Sequence, residues 1–288
     1  MGLTQESSGI NLIKYESIYE KNKDEVIVAL AGNPNTGKST LFNSMTGLKQ
    51  HTGNWPGKTV SNAYGYYQYN GNKFLMVDLP GTYSILANSE EEEIARNFIC
   101  FGKPEVTVVV VDSTCLERNL NLVLQIMEIT DNVIVSLNLM DEAKRKEIKI
   151  DVKKLEILLG IPVIPTIARD GVGVTEIMNS INNLQLYSNP NKIKYSEEIE
   201  NLISKIENIL LNCLDINANT RWISLRLIDG DVEMKRQLEK LLIINGVGSQ
   251  PLKKIEGILD EYKNIGDQIV SEIYDIAEEI ARNHSLLN

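Results

Sequence analysis

The sequence has few of the residues that build disulfide frameworks or zinc sites. It contains three cysteines and two histidines among 288 residues, and the cysteine spacings match no zinc or redox motif. An odd, sparse cysteine count is typical of proteins in a reducing compartment. We therefore interpret Cys100, Cys115 and Cys213 as small apolar residues. We expect no metal cluster from His51 and His284, which lie far apart in the sequence.

The chain also lacks an excess of positive charge and a long apolar segment. Its formal net charge is −10, which argues against a nonspecific grip on nucleic acid, because Lys and Arg must neutralise phosphates there. Apolar runs such as Val106–Val111 are far shorter than the ~20 residues that cross a bilayer. The polar amino terminus has no signal-peptide pattern. We expect a soluble, cytoplasmic chain that does not bind nucleic acid.

Short apolar runs alternate with helical patterns in the first two thirds of the chain. Six of these runs are predicted to be strands: Val26–Ala31, Tyr64–Tyr69, Phe74–Val77, Val106–Val111, Val133–Leu137 and Pro162–Pro165. Asn70-Gly71, between the second and third runs, predicts a hairpin turn. Strands that alternate with helices indicate an α/β fold with a mostly parallel, six-stranded sheet covered on both faces.

The pattern changes near residue 188, where Ser188-Asn189-Pro190-Asn191 is typical of a linker. Beyond it the strand patterns disappear and apolar residues repeat at helical spacing. We predict a polar extension over residues 1–24, an α/β domain over 25–190 and a small all-α domain over 191–288. The breaks in the last region indicate about four helices.

A glycine-bearing motif follows the first predicted strand and precedes a helical pattern. Gly32–Thr40 fits G-x-x-x-x-G-K-[ST], in which loop N–H groups cradle phosphates at the positive end of a helix. Lys38 is predicted to reach the β- and γ-phosphates, and the Ser39 hydroxyl to ligate magnesium. The alternative is a Gly-rich turn that matches by chance. The predicted binding residues are Asn33, Pro34, Asn35, Thr36, Gly37, Lys38, Ser39 and Thr40.

Two later segments can complete the phosphate site. Asp78-Leu79-Pro80-Gly81 ends a predicted strand; Asp78 can hold magnesium through water, and the Gly81 N–H can sense the γ-phosphate. Alone this pattern is usually just a turn. Thr59, which follows Gly57 and Lys58, is placed to close over magnesium and the γ-phosphate, although it could also be an ordinary β-branched surface residue.

Asn138-Leu139-Met140-Asp141 follows the predicted strand Val133–Leu137. A carboxylate can accept hydrogen bonds from both N1–H and the exocyclic amine of guanine, and adenine has no such donor pair. Asp141 is therefore predicted to select guanine, with Asn138 bracing the loop and Met140 beside them. A polar helix cap is the alternative interpretation.

The motifs GNPNTGKST, GNWPGKTV, DLPG and NLMD occur in the order that is found in Ras-like GTPases. In detail, the first three segments and Arg221–Asp231 resemble the cytosolic amino-terminal part of FeoB, the bacterial ferrous-iron transport protein B family. The resemblance covers roughly residues 25 to 285. It implies a P-loop, Ras-like G domain followed by a helical domain that slows nucleotide release.

The resemblance also implies a function and a location. It points to a domain that binds GTP and GDP with Mg²⁺, hydrolyses GTP slowly, and regulates or energises ferrous-iron uptake across the bacterial inner membrane. A transmembrane permease region normally follows the helical domain. Because this chain stops before it, we expect a soluble fragment that acts at the cytoplasmic face of the membrane. The sequence leaves open whether the chain forms a homo-oligomer.

Potassium stimulation is a further implication of the resemblance. Asn35 would be a K⁺ ligand, together with the backbone carbonyls of Gly53 and Trp55. A cation near the α- and γ-phosphates can act as an arginine finger does elsewhere. The alternative for Asn35 is a turn residue that tolerates unusual backbone angles. The residues predicted to take part in catalysis are Asn35, Lys38, Thr59 and Gly81.

Several positions depart from the family pattern. Thr82 stands where Ras-like enzymes have a glutamine that orients water, so we expect slow intrinsic hydrolysis. The fifth GTPase motif, normally a Ser-Ala pair, is Thr166-Ile167-Ala168. Ala168 can still offer its backbone N–H to the guanine O6. We expect the lost serine hydroxyl to loosen this loop and speed nucleotide release.

Two substitutions and one acidic run lie near the segments that would respond to nucleotide. Lys58 and Ser61 stand where an apolar residue and an acid are usual in the family. Ser89 and the following Glu90–Glu93 could be an iron-binding run or the start of a helix. The spacing of Ser89 and Glu92 fits a capping box, and acids suit a helix amino terminus, so we favour the helix start.

Two other functions stay open at this point. A soluble GTPase of ribosome assembly would share the same motifs, but such proteins usually add a basic RNA-binding module, and the region after residue 196 has no basic stripe. An interaction module that binds GTP and hardly hydrolyses it is the other alternative.

Overall fold

The computed structural model describes residues 25–48, 50–55, 58–86, 89–102, 104–183, 191–214, 218–262 and 265–283. These residues form two compact units: the first contains residues 25–192 and 277–283, and the second contains residues 193–276. The predicted extension over residues 1–24 and most of the predicted linker at 188–191 lie outside the described residues, as do Gly57 and His284.

The first unit contains a seven-stranded sheet. Its strands are β1 Glu25–Gly32, β2 Gln50–Asn54, β3 Ser61–Tyr69, β4 Asn72–Asp78, β5 Val106–Asp112, β6 Val133–Asn138 and β7 Val163–Pro165. They lie in the order β2-β3-β4-β1-β5-β6-β7. The β2–β3 and β3–β4 pairs are antiparallel, and all other pairs are parallel. The predicted α/β fold with a mostly parallel sheet is therefore confirmed.

The strand count differs from the predicted six because β2 was not recognised. Its sequence, QHTGN, has neither an apolar run nor an alternating pattern. The strand lies at the edge of the sheet and pairs with β3, and residues 51–54 are exposed. An edge strand that buries little needs no apolar face, so it leaves no mark in the hydrophobic pattern.

The central strands are buried because helices cover both faces of a parallel sheet. All apolar side chains of β5 and β6 are buried. The helices of this unit are α1 Lys38–Thr46, α2 Glu90–Phe101, α3 Leu116–Ile129, α4 Met140–Arg145, α5 Val152–Leu159 and α6 Val174–Asn182. The hairpin prediction is confirmed: Asn70 and Gly71 have φ angles of 50° and 82°, and Tyr69 pairs with Asn72.

The parallel strands bring the predicted motifs to one edge of the sheet. Leu30 of β1 pairs with Asp78 of β4, and Asp112 of β5 pairs with Asn138 of β6. The carboxyl ends of these strands therefore lie at the same edge, where open α/β sheets bind their ligands.

The second unit is built from helices alone in the described residues. Beyond Ile193 the structure has α7 Glu197–Leu210, α8 Thr220–Ile228, α9 Val232–Ile244, α10 Gln250–Leu259 and α11 Ile265–Asn283. There are five helices where the sequence indicated about four. Of the apolar residues that repeat along α7, five are buried: Ile199, Leu202, Ile203, Ile206 and Leu210. Among the described residues, every helix is too short or too polar to span a bilayer.

Candidate functional site

The loop between β1 and α1 has the backbone conformation that a phosphate-binding loop requires. Gly37 and Asn35 have φ angles of 86° and 67°, in the left-handed region that favours glycine and tolerates asparagine. A side-chain carbon added at Gly37 would collide with the amide group of Asn138. Glycine at this position is therefore required both by the turn and by the close approach of a second loop.

The side chains of this loop divide into a buried set and an exposed set. Thr36 is buried, and its Oγ1 donates to the backbone carbonyl of Asn33 at 3.0 Å. Asn35, Ser39 and Thr40 are exposed. The buried contacts fix the loop, while the exposed hydroxyl and amide groups are accessible to a ligand.

Lys38 at the start of α1 forms an ion pair with Asp78 at the end of β4. Burial raises the pKa of the Asp78 carboxyl above its usual value, and the Lys38 ammonium lowers it in part. A hydroxyl at Ser39 and a carboxylate at Asp78 are the hard oxygen donors that Mg²⁺ prefers. The chemistry of these residues therefore fits a magnesium ion beside a phosphate group.

Gly81 lies next to the phosphate-binding loop. A side-chain carbon added there would lie 3.4 Å from the Pro34 backbone, and the Thr82 N–H donates to the Gly32 carbonyl at 3.2 Å. The structure therefore brings together Pro34, Lys38, Asp78 and Gly81.

Lys58 and Thr59 lie against the start of α2 in this structure. Lys58 Nζ is 3.0 Å from Glu93 Oε2 and 3.5 Å from Glu90 Oε1, and Thr59 Oγ1 donates to Glu90 Oε2 at 3.2 Å. The hydrogen bond to Glu93 and the two carboxylate charges raise the pKa of Lys58. Thr59 is thus held by a glutamate instead of joining Ser39 and Asp78.

The residues predicted to bind potassium are not gathered at Asn35. Gly53 belongs to β2 and pairs with Asn62, and β3 and β4 separate β2 from β1. The Trp55 carbonyl accepts from the Lys58 N–H at 2.9 Å. In this arrangement the Gly53 segment is the edge strand of the sheet, and the Trp55 carbonyl is hydrogen-bonded to a residue of its own segment.

Asn138 connects the phosphate-binding loop to the loop after β7. Its Nδ2 donates to the Thr36 carbonyl at 2.9 Å. Its Oδ1 accepts from the Ala168 N–H at 3.0 Å and from Thr166 Oγ1 at 3.3 Å. The side chain is buried, so these hydrogen bonds are shielded from water. Asn138 braces two loops at once, whereas the sequence suggested only one.

Asp141 lies in the first turn of α4, next to the same loop. Its Oδ2 accepts from Arg169 Nη2 at 3.0 Å, and its Oδ1 is buried without a hydrogen-bond partner among the described residues. A donor from a ligand can reach this buried oxygen only if the side chains around it move. The pairing with Arg169 was missed from the sequence, although a long cationic side chain directly after Ala168 was a visible signal.

The atypical fifth motif is held by several hydrogen bonds. Thr166 Oγ1 lies 2.9 Å from Ser136 Oγ, the Thr166 carbonyl accepts from the Met140 N–H at 3.3 Å, and Ser44 Oγ donates to the Ala168 carbonyl at 2.9 Å. Because the Ala168 N–H donates to Asn138, it can reach a guanine O6 only if that hydrogen bond is exchanged. The Thr166 hydroxyl takes part in these contacts, and the effect of the missing serine on nucleotide release stays a prediction.

Three elements meet at one edge of this sheet. They are the glycine loop that contains Lys38, the end of β4 with Asp78, and the loop that contains Asn138 and Asp141. The fold and the site define a P-loop domain of the Ras-like class. Two family models match the chain: ferrous iron transport protein B over residues 26–181 and the FeoB cytosolic helical domain over residues 195–284. The chain belongs to the ferrous iron transport protein B family, as the motifs predicted.

Full-length and solved relatives agree with this assignment. The Fe(2+) transporters FeoB of Shigella flexneri and Salmonella typhimurium are 34% identical to the chain over 212 residues, which is 72% of this chain. The match covers 27% of each relative, so the chain spans about a quarter of their length.

Solved structures extend the similarity over both units. The cytosolic domain of L. pneumophila FeoB has a TM-score of 0.77 and 32% identity, and the match covers 90% of this chain and 98% of that one. A mutant of S. thermophilus NFeoB bound to GDP has a TM-score of 0.79 and 30% identity, with coverages of 89% and 98%. The GMPPNP form of the T. maritima cytosolic domain has a TM-score of 0.73 and 33% identity, with coverages of 90% and 98%.

Proposed function

We propose that this chain binds GTP and GDP and hydrolyses GTP, as the cytosolic part of a bacterial ferrous-iron transporter. The observation that carries the proposal is the Asn138 side chain, which ties the phosphate loop to the loop beside Asp141. That link would join the site for the phosphates to the carboxylate that we propose reads guanine. The relatives solved with GDP and GMPPNP support the same ligand class.

The phosphate chain would lie along the N–H groups of residues 33–40 at the positive end of α1. Lys38 would exchange its partner Asp78 for the phosphate oxygens, which leaves the Asp78 carboxylate available to a cation. Ser39, Asp78 and Thr59 would hold Mg²⁺, which supplies positive charge for the phosphate oxygens when it is bound. For Thr59 this requires release of its hydrogen bond to Glu90.

Slow hydrolysis follows from the environment of Thr82. Its side chain is buried, its Oγ1 accepts from the Ser84 N–H at 3.0 Å, and it also donates to the Ser84 carbonyl. A hydroxyl committed to its own turn does not orient an attacking water. The backbone N–H of Gly81 is then the group at this position that can meet the γ-phosphate.

We further propose that potassium stimulates the reaction through Asn35. The proposal is supported by the Asn35 side chain, which is exposed on a left-handed residue of the phosphate loop and is therefore accessible to a cation. Gly53 and Trp55 would supply carbonyls only after the segment around β2 moves from its present place. Potassium binding would therefore be coupled to that movement.

The transport role is proposed for the whole protein, of which this chain is one part. The curated relatives are Fe(2+) transporters almost four times as long as the region matched here. A transmembrane region in the parent protein would be the partner of this chain at the cytoplasmic face of the inner membrane. We propose that residues 25–190 form the G domain and residues 191–288 the helical domain.

The first experiment measures binding by calorimetry with GDP, GTP, ADP and ATP in Mg²⁺ buffer. Guanine nucleotides should bind at least about a hundredfold more tightly than adenine nucleotides, because adenine cannot satisfy Asp141. Equal affinities would overturn the proposed nucleotide. GTP hydrolysis is then compared in KCl and NaCl for the parent and for Asn35→Ala.

The hydrolysis assay separates the remaining alternatives. Faster turnover of the parent in KCl, lost in Asn35→Ala, supports the potassium site. Equal rates in the two salts would remove it. Binding without measurable turnover in either salt would instead favour a GTP-dependent interaction module.

A further inference from the structure

One buried side chain of α3 holds the segment that follows Gly81. Gln125 Oε1 accepts two hydrogen bonds, from Ser84 Oγ at 3.0 Å and from the Ile85 N–H at 2.8 Å. Gln125 is 4% exposed and Ile85 is 3% exposed. A glutamine that binds a backbone amide 40 residues away inside the core fixes the path of that backbone.

The same face of α3 makes a second contact with this segment. The guanidinium carbon of Arg118 lies 4.0 Å from the centre of the Tyr83 ring, which is a favourable distance for a cation–π interaction. Arg118 and Gln125 are seven residues apart and so lie on one face of the helix. Three consecutive residues of the segment, 83–85, are therefore held by α3.

The segment is also fixed at its other end, next to Gly81. The Thr82 N–H donates to the Gly32 carbonyl at 3.2 Å, and Gly81 lies against the Pro34 backbone. The single residue Tyr83 lies between Thr82, which is bonded to Gly32, and Ser84, which is bonded to Gln125. A change at Gln125 would thus be transmitted to Gly81 through a short, constrained piece of chain.

Part of the α3 face has unused hydrogen-bonding capacity. Gln125 Nε2 and both polar side-chain atoms of Asn121 are buried without hydrogen-bond partners among the described residues. Asn121 lies one turn before Gln125 on the same face. Buried polar atoms without partners are costly, so we expect them to find partners when the segment takes a second arrangement.

We propose that Gln125 is a positioning residue for GTP hydrolysis: it fixes Ser84 and Ile85 and thereby places the Gly81 N–H beside the γ-phosphate. The inference rests on the proposed function, because it assigns a role within that reaction. Gln125 itself touches neither nucleotide nor magnesium in this mechanism. Its removal should slow the chemical step and leave GDP binding intact.

The test compares three variants by single-turnover GTP hydrolysis, GDP affinity and thermal unfolding. Gln125→Met keeps the length of the side chain and removes the acceptor, and Gln125→Glu retains an acceptor for both donors. Ile126→Val trims the neighbouring buried residue of α3 and serves as the matched structural control. If Gln125→Met does not fold, Ser84→Ala leaves the helix unchanged and removes one of the two hydrogen bonds to Gln125, together with the one that Ser84 Oγ accepts from the Leu86 N–H.

We expect Gln125→Met to hydrolyse GTP about tenfold more slowly than the parent, with GDP affinity within about twofold. Gln125→Glu should recover most of the rate, and Ile126→Val should hydrolyse at the parental rate even if it unfolds earlier. Ser84→Ala should show a smaller loss in the same direction.

Several results would overturn the inference. Gln125 would have only a structural role if folded Gln125→Met or Ser84→Ala hydrolysed GTP at the parental rate. The same conclusion would follow if Gln125→Met and Gln125→Glu lost the same amount of activity, or if Ile126→Val lost as much as Gln125→Met. A parent protein that binds no guanine nucleotide would instead refute the proposed function, which the calorimetry reports separately.

Discussion

The side of the site that is proposed to bind the base and the segment around β2 differ in how completely their residues are assembled. Asn138 ends a buried strand and accepts a hydrogen bond from the Ala168 N–H, and Asp141 lies in the helix that follows and is paired with Arg169. Lys58 and Thr59 lie against α2. In the first set, binding would require only local exchanges, such as release of the Ala168 N–H from Asn138. In the second set, Thr59 would have to leave Glu90 and its whole segment would have to move.

The largest effect should come from changing Asp141, the carboxylate that we propose reads the base. In Asp141→Asn an NH₂ donor replaces one acceptor oxygen, so the side chain can no longer accept hydrogen bonds from both the N1–H and the exocyclic amine of guanine. GDP affinity should fall at least about a hundredfold. XDP, which carries a carbonyl at C2, should bind the variant better than the parent. Both affinities are measured by calorimetry.

The control for this change is Asp131→Asn, which alters an exposed aspartate near the amino end of β6. It should bind GDP as the parent does. A parental GDP affinity in Asp141→Asn would show that the carboxylate does not contact the base.

The second prediction removes the brace between the two assembled loops. Asn138→Ala deletes the hydrogen bonds to the Thr36 carbonyl, the Ala168 N–H and Thr166. Because the loops would lose their shared support, GDP dissociation should accelerate about thirtyfold. Stopped-flow release of a fluorescent GDP measures it.

Asn132→Ala is the matched control, since Asn132 lies just before the opposite end of β6 and donates to the Glu105 carbonyl on the surface. Its GDP release should match the parent. Equal release rates in Asn138→Ala and the parent would mean that the two loops hold their positions independently.

The smallest effect should come from changing the segment around Lys58 and Thr59, which lies against α2. Lys58→Met removes the ion pairs with Glu90 and Glu93, which are partly exposed and therefore weak. Thr59 should leave α2 more readily, so affinity for a GTP analogue should rise about twofold to fivefold while GDP affinity stays the same. The gain should shrink in high salt, where the parental ion pairs are already screened.

Lys73→Met, at an exposed position of β4, controls for the loss of one positive charge. An equal gain in this variant would assign the effect to net charge. A lower affinity of Lys58→Met for the GTP analogue would show that Lys58 supports the bound arrangement.

The same contrast explains what could be predicted from the sequence. The apolar runs of β1, β4 and β6 are visible because both faces of these strands are buried, and the motifs follow directly at their carboxyl ends. The capping box at Ser89 is a local signal, and its hydrogen bond from the Glu92 N–H is confirmed at 3.2 Å.

The missed features depend on tertiary placement. β2 is polar and exposed, so it has no hydrophobic pattern. The pairs Arg169–Asp141 and Lys58–Glu93 join long side chains from segments 28 and 35 residues apart. Gln125 belongs to α3, whose apolar pattern predicts that this helix is buried but does not predict which residues Gln125 contacts. A single sequence gives no local pattern for such partners.

The contact between Gly37 and Asn138 has a consequence for how this site can change in evolution. Gly47 also has a positive φ angle, but a side chain added there would meet open space. At Gly37 the same addition would push into the asparagine that steadies the guanine-side loop. A mutation in the loop that grips the phosphates would therefore disturb recognition of the base as well, so these two halves of the nucleotide site are constrained to diverge together.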